Sequence, residues 1–395
     1  MGNLLTVFIL FIAGLAVFLQ ADFALTVLYL LGGVILFGQW WSRQAMRHLE
    51  MRRQFATHAF QGEAIPVRLE IHNPGLLPIP WLQLHESLNV AISPRPAYQE
   101  VFSLPGRASR SFEYSLEGRK RGYFPVGPLT LASGDLFGLL KDLQMVLPDE
   151  HLTVYPRIIP LHRVDLPSRS PLGALRTHQP VFEDPARVWG KREYTRGDSL
   201  RRIDWKASAA SDRLQVKQYE PSIALEAVVC LDLHNGDYAS RSRFYNGELA
   251  ITTAASLASW ITGARQAVGL LANGRDSLQE DPGPQWLGAR RGRAHLMHIL
   301  EVLARLELAD TRPLTETLSQ QIHTLPWGTT LIVITPVLDD ALFESLFQAR
   351  RQGLNLFVVG IGPVPGYAAA RHKAQHFGIP LHAVQAESDL DQWCQ

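Results

Sequence analysis

The chain has 395 residues, of which 46% are hydrophobic and 19% are charged, and its formal net charge is +1. This composition predicts a folded protein of two or three domains and excludes a highly charged disordered chain. The balanced charge gives no indication for or against a polyanionic partner. The two cysteines, Cys230 and Cys394, exclude a disulfide framework and a cysteine zinc site.

Two apolar segments come first in the chain. Residues 3–19 and 23–41 are almost wholly apolar, and each is close to the lower limit of ~17 residues for a helix that crosses a bilayer. Trp40 and Trp41 stand where an interfacial aromatic belt would lie, and four arginines follow before residue 54. We therefore expect a two-helix transmembrane hairpin over residues 1–54 in the inner membrane, with the soluble domains in the cytoplasm. A cleavable signal peptide and a buried helical hairpin are the alternatives.

Residues 55–155 show short segments in which apolar and polar residues alternate. Residues 64–71 and 109–116 are examples, and turn-forming sequences such as Asn73-Pro74-Gly75 and Gly127-Pro128 separate such segments. A period of two with these interruptions is typical of antiparallel strands. We expect a β-sandwich domain here.

Residues 222–395 alternate between apolar strands and amphipathic helices. The predicted strands are 227–231, 267–271, 330–335 and 355–360, and the predicted helices are 248–265, 293–306 and 339–352. This pattern predicts a doubly wound α/β domain with a mostly parallel sheet. In such a sheet the functional edge lies at the carboxyl ends of the strands. Asp232, Thr335 and the loop after Gly360 are placed there.

A connector, residues 156–221, contains the most unusual stretch of the chain. Residues 192–217 read REYTRGDSLRRIDWKASAASDRLQVK, and we name them the signature block. Gly197 suits a turn, and Ile203 and Trp205 are apolar anchors in a charged sequence. We expect a partly buried ion network. The residues assigned to this site are Arg192, Tyr194, Arg196, Gly197, Asp198, Arg201, Arg202, Asp204, Trp205, Lys206 and Lys217.

The signature block resembles the hallmark of the bacterial domain-of-unknown-function family 58, which continues here as Val216-Lys217-Gln218-Tyr219-Glu220. Residues 120–123 and 135–139 are similar to two further strings of that family. The family has no established activity. The resemblance implies a membrane-associated assembly or chaperone-like system, with MoxR-type AAA+ ATPases and proteins that contain von Willebrand factor A domains as partners.

The C-terminal pattern also resembles a von Willebrand factor A fold. In that fold a D-x-S-x-S loop, a threonine and a second aspartate gather around Mg²⁺, a hard ion that prefers oxygen ligands. Asp232 matches the first aspartate, but both serine positions differ and Pro336 stands where the second aspartate is expected. Thr311 and Thr315 are both candidates for the threonine. We therefore expect no cofactor. Asp232 is the one clear match among the Mg²⁺ ligands, and Asn235 and Asp237 are alternatives for the two serines.

Catalytic motifs are missing from the sequence. It contains no G-x-x-x-x-G-K-[ST], no helix-opening G-x-G-x-x-G, no H-E-x-x-H and no G-x-S-x-G. We therefore predict a non-enzymatic adaptor or assembly factor that presents protein partners to a membrane or envelope process, without nucleic acid. The alternative is a hydrolase-like enzyme with Asp198 or Asp204 as general base.

Three interpretations of the signature block remain open. Arg196, Arg201 and Arg202 could pair with acids and clamp the connector onto the C-terminal sheet. The block could instead be a docking surface, because arginine and tryptophan dominate many protein interfaces. The third interpretation is a catalytic site that uses Asp198 or Asp204.

Overall fold

The computed structural model describes residues 22–133, 143–161, 164, 188–195, 198–211, 213–219, 226–279 and 283–392. The chain divides into two compact units, Met1–Arg157 and Ile158–Gln395.

The first described element is helix α1, Asp22–Met46. Its C-terminal turn packs on the β-strands of the first unit, since Met46 is buried in their core and the Trp41 indole donates to the Pro78 carbonyl at 3.0 Å. Within the described ranges, no helix is both long and apolar enough to cross a membrane. The predicted two-helix transmembrane hairpin is therefore wrong. Trp41, assigned to a lipid interface, contacts protein instead, and the helix predicted over residues 3–19 lies outside the described residues.

Nine strands are described after α1 in the first unit. They are β1 (Glu50–Gln54), β2 (His58–Phe60), β3 (Ala64–Asn73), β4 (Ile79–Leu88), β5 (Ala97–Leu104), β6 (Ala108–Glu117), β7 (Gly122–Ser133), β8 (Leu143–Leu147) and β9 (Glu150–Tyr155). One sheet has the order β1-β3-β6, and the other has the order β2-β9-β7-β4-β5 with β8 beside β7. Apart from the parallel β2–β9 pair, the strands pair antiparallel.

The alternating sequence explains how these two sheets share a core. On β3, Ile65, Val67, Leu69 and Ile71 are buried, whereas the residues between them are more exposed. Successive side chains of a strand point to opposite faces, so one face of β3 is apolar from Ile65 to Ile71. Its leucine and isoleucine side chains belong to the same buried cluster as Leu131 on β7 of the other sheet.

The described residues of the second unit form strands, helices and two short 3-10 turns. The strands are β10 (Val188–Glu193), β11 (Gln215–Tyr219), β12 (Glu226–Leu231), β13 (Ala267–Ala272), β14 (Arg275–Asp276), β15 (Gln285–Arg290), β16 (Leu306–Glu307), β17 (Thr330–Thr335), β18 (Asn355–Ile361) and β19 (Leu381–Val384). The helices are α2 (Trp205–Ser211), α3 (Arg243–Gly263), α4 (Arg293–Arg305), α5 (Leu314–Ile322), α6 (Asp340–Arg351), α7 (Tyr367–His376) and α8 (Glu387–Gln392). The 3-10 turns are Leu200–Arg202 and Asn235–Asp237.

Six of these strands form one sheet in the order β15-β13-β12-β17-β18-β19. Edge strand β15 is antiparallel and the other five strands are parallel. Val228 and Cys230 of β12 pack with α5, α6 and α7 on one face, and α3 contacts the same strand. Because β13 and β17 flank β12 on opposite sides, the carboxyl ends of β12 and β17 form the topological switch point of the sheet, where a crevice is expected.

Candidate functional site

The signature block lies on an antiparallel strand pair with a short helix of its own. In the β10–β11 register, Lys191 is opposite Lys217 and Arg192 is opposite Val216. Between the strands the chain passes through the first 3-10 turn and then α2. Ile203 bridges to Val216, and both side chains are buried. The block is therefore a small module organised around this apolar contact.

The Arg192 guanidinium holds Asp198 in a bidentate pair. Its Nη2 and Nη1 donate to Oδ1 and Oδ2 of Asp198 at 2.5 and 2.7 Å. The N–H and the hydroxyl of Thr195 also donate to Oδ2, each at 2.9 Å. These hydrogen bonds, above all the one from Arg192, hold the pKa of Asp198 well below its usual range. A carboxylate satisfied in this way is a weak proton acceptor, which disfavours it as a general base.

Asp204 connects α2 to the strand pair. Its Oδ2 lies 2.9 Å from Lys191 Nζ, and its Oδ1 accepts from the Ala207 N–H at 3.1 Å, which caps the first turn of α2. The Asp204 N–H donates to the Gln215 carbonyl at 2.8 Å. The Lys191 ammonium lowers the pKa of Asp204, with help from the Ala207 N–H and the Lys217 charge. The carboxylate also offsets the repulsion between the two facing lysines.

Apolar and cationic side chains of the block are exposed. Trp205 and Leu200 each expose 67% of their surface. The exposed cations on the same turn and helix are Arg201, Arg202 and Lys206. The block therefore presents an indole and a leucine on a backbone that the pairs of Asp198 and Asp204 hold in place.

Lys191, Arg192 and Arg213 are the cations of the described ion pairs in and beside the block. The described pairs are Arg192 with Asp198, Lys191 with Asp204 and Arg213 with Glu193, the last at 2.6 Å. The strand register brings neighbouring residues of β10 beside the two aspartates. The Tyr194 N–H continues the pairing by donating to the Leu214 carbonyl at 2.8 Å. Arg196 and Gly197 lie outside the described residues.

The crevice of the six-stranded sheet contains a second cluster of polar groups. Asp232 follows β12 and is 2% exposed, and the Thr335 hydroxyl at the end of β17 donates to its Oδ2 at 2.8 Å. Asn273, which follows β13, donates from Nδ2 to Asp232 Oδ1 at 2.9 Å, and the His234 N–H donates to the same oxygen at 3.1 Å. One carboxylate therefore joins the ends of three parallel strands.

This cluster does not fit a magnesium site. Burial raises the pKa of Asp232 to about 6, although hydrogen bonds from Asn273, His234 and Thr335 oppose that shift. Both carboxylate oxygens already accept from N–H or O–H donors, so few lone pairs remain for an ion. In the described part of the chain, no three His, Cys, Asp or Glu side chains are placed to hold a metal. The geometry favours a strand-joining role for Asp232, and its assignment as a metal ligand stays a prediction.

Two residues of this cluster were missed by the sequence analysis. Asn273 lies two residues after the strand predicted over 267–271. A polar side chain just after a buried parallel strand is the signal that would have identified it. The Tyr238 hydroxyl donates to the Asp232 carbonyl at 2.6 Å. Of the two candidate threonines, Thr311 precedes Arg312, whose carbonyl accepts from Asn273 at 3.1 Å, whereas Thr315 lies in α5.

Comparison with known sequences finds a family of unknown function. Residues 190–358 match the model of the family described as protein of unknown function DUF58. The uncharacterized protein YeaD of Bacillus subtilis (strain 168) is 28% identical over 138 residues. That match covers 33% of this chain and 33% of YeaD, so the chain spans about a third of this relative.

The comparison with solved structures includes remote likenesses. The CARDB domain of the PF1109 protein from Pyrococcus furiosus matches 27% of this chain and 91% of its own, with 11% identity and a TM-score of 0.21. A β-glucosidase from Listeria innocua matches 27% of this chain and 16% of its own, with 11% identity and a TM-score of 0.17. Neither likeness carries a functional conclusion.

Proposed function

We propose that this chain, with its DUF58 segment, is a non-enzymatic adaptor that docks a protein partner on the signature block. The observation that carries the proposal is Trp205, an indole that is 67% exposed at the start of α2. Tryptophan is enriched among the side chains that dominate protein interfaces. The preceding residue, Asp204, is fixed by Lys191 and by the Ala207 N–H. The indole is therefore displayed from an ordered backbone, which lowers the entropy lost on binding.

The hydrolase-like alternative has less support. Hydrogen bonds and ion pairs lower the pKa values of both Asp198 and Asp204. A general base works best when its pKa lies near the operating pH, so these shifts go in the wrong direction.

The partner class follows from the sequence resemblance. Because the block resembles family 58, we propose a MoxR-type AAA+ ATPase as the first partner to test, with proteins that contain von Willebrand factor A domains as the second. Action at the inner membrane or in an envelope process stays a prediction from the sequence.

The test is a quantitative co-purification with the full tagged chain. The variant Leu200→Ala/Trp205→Ala removes the two most exposed large apolar side chains described in the block and should reduce recovery of a specific partner by more than about tenfold. Trp327→Ala is the matched control, because Trp327 is 62% exposed elsewhere in the same unit. Thermal unfolding of all three proteins checks that they fold equally well. Equal recovery of the same partners by wild type, variant and control would contradict docking on the block.

A further inference from the structure

We infer that the docking surface selects an acidic protein segment that carries an apolar side chain. This inference rests on the proposed function and adds the chemistry of the partner. Its starting point is that each described acid of the block already has a cationic partner. Glu193 pairs with Arg213, Asp198 with Arg192, and Asp204 with Lys191.

The strand pair nevertheless carries an excess of positive charge. Between residues 188 and 219 the structure describes seven Lys and Arg but three Asp and Glu. The cations are Lys191, Arg192, Arg201, Arg202, Lys206, Arg213 and Lys217. Three of them pair with the described acids and Arg202 has an interaction of its own, so the positive excess among the described residues rests on Arg201, Lys206 and Lys217. A cationic surface favours and accelerates encounters with acidic partners.

This positive charge lies next to the apolar anchors in the chain. Arg201 follows Leu200, and Lys206 follows Trp205, and all four side chains are exposed. A partner that places an apolar side chain against the indole would bring neighbouring residues within reach of these cations. Guanidinium and ammonium groups bind carboxylates through charge-assisted hydrogen bonds. The arrangement therefore fits a segment in which acidic and apolar residues are close together.

A nucleic acid fits this surface less well. Trp205 is an exposed aromatic side chain without a described aromatic neighbour on α2, whereas single strands bind to rows of stacking residues. A protein segment is therefore the anionic occupant that the exposed apolar side chains favour.

The test is a selection from a displayed random-peptide library with the full chain as bait. We expect enriched peptides to combine Asp or Glu with Leu, Phe or another apolar residue. One enriched peptide is then synthesised, and its Kd should rise by more than about tenfold for Arg201→Glu/Lys206→Glu. Added NaCl should also weaken its binding, because salt screens exposed charges. Arg291→Glu/Arg293→Glu, which reverses two exposed arginines elsewhere in the unit, is the matched control and should leave the Kd unchanged.

The outcomes separate this inference from the proposed function. Peptides that need Trp205 but show no acidic excess would overturn the inference and leave docking on the block intact. If acidic peptides are enriched but neither Trp205→Ala nor the charge reversal changes their Kd, both the inference and docking on the block are overturned. The inference is also overturned if nothing is enriched, or if a single-stranded oligonucleotide or a phosphatidylglycerol vesicle binds more tightly than every peptide in a Trp205-dependent way.

Discussion

Two arginine–carboxylate pairs, one in each unit, have opposite surroundings. Arg53 Nε lies 2.7 Å from Glu86 Oε1, and both side chains are completely buried. Arg192 and Asp198 are 2.5 Å apart, with 41% and 16% of their side chains exposed. Burial raises the pKa of Glu86 even though Tyr114 and Arg53 oppose the shift, whereas hydrogen bonds lower the pKa of Asp198. Loss of hydration therefore dominates the first pair, and direct contacts dominate the second.

The buried pair clamps the two sheets of the first unit together. Arg53 lies on β1 and Glu86 on β4, which belong to different sheets. Arg53 Nη1 also donates to the Val126 carbonyl at 2.9 Å, and the Tyr114 hydroxyl donates to Glu86 Oε2 at 2.5 Å. A buried ion pair of this kind therefore joins the two sheets of the first unit. In contrast, residues next to the Arg192–Asp198 pair, such as Glu193 and Ser199, are exposed to solvent.

The largest expected effect comes from breaking the buried pair. Arg53→Met leaves the Glu86 carboxylate buried without its cation, and we expect the free energy of unfolding to fall by roughly 3–5 kcal/mol. Urea denaturation measures this change. Arg68→Met is the control, because Arg68 and Glu70 form an exposed pair at 3.1 Å whose loss should cost less than about 1 kcal/mol. Equal costs for the two substitutions would show that burial does not distinguish these pairs.

Asp232 sharpens the comparison because it is a buried carboxylate whose described hydrogen-bond donors are all neutral. Its pKa is about 6 in the folded protein against an ordinary value of 3.8. Between these values the unfolded chain loses its proton first, so the folded state loses stability as pH rises, by about 3 kcal/mol in total. Asp232→Asn should remove this loss. The difference in the free energy of unfolding between the variant and wild type should therefore shift in favour of the variant by about 3 kcal/mol between about pH 4 and pH 7.

Urea denaturation of both proteins at the two pH values measures this gain. Asp389→Asn is a suitable control, because Asp389 receives hydrogen bonds from the N–H groups of Gln385 and Ala386 at the start of α8, far along the chain from the crevice. A difference between Asp232→Asn and wild type that does not change with pH would contradict the assigned pKa.

The smallest expected effect comes from the exposed pair. Asp198→Asn weakens the bidentate contact with Arg192 and the bond from the Thr195 N–H, so that N–H should exchange faster with solvent while global stability hardly changes. The pKa of Asp198 is lower in the folded protein than its ordinary value of 3.8. Its carboxylate therefore stabilises the folded state above about pH 3.8, and this stabilisation is lost as the pH falls further. Hydrogen exchange followed by NMR measures the effect, with Glu193→Gln as the control. Unchanged exchange at Thr195 would show that the pair does not order this turn.

The strands of the second unit show where sequence patterns are informative. The strand predicted over 330–335 is β17 with the same bounds, because an apolar β-branched run ends at Pro336. Strand β15 was missed, since its alternating exposure is typical of an edge strand and its pairing with β13 is nonlocal. The transmembrane prediction was wrong at α1, because a count of apolar residues does not show that the helix end packs on protein.

Some contacts of the two clusters follow from the sequence, and others do not. The meeting of Asp232 and Thr335 follows from strand order, since parallel strands bring their carboxyl ends to one edge. The partners within the signature block depend on register. Neighbouring side chains of a strand point to opposite faces, so Lys191 meets Asp204 while Arg192 meets Asp198. The sequence contains no signal for that register.

The slight burial of the strand pair has a consequence for how it recognises a partner. Among the side chains described between residues 190 and 217, the buried ones are Ile203, Ser208 and Val216. Because so little apolar surface is buried, local opening of this strand pair should cost a small fraction of the free energy that opening of the six-stranded sheet requires. The ion pairs of Asp198 and Asp204 therefore carry much of the order of this backbone, and added salt should loosen the strand pair before it affects the six-stranded sheet. The ordered display of Trp205 would then depend on ionic strength.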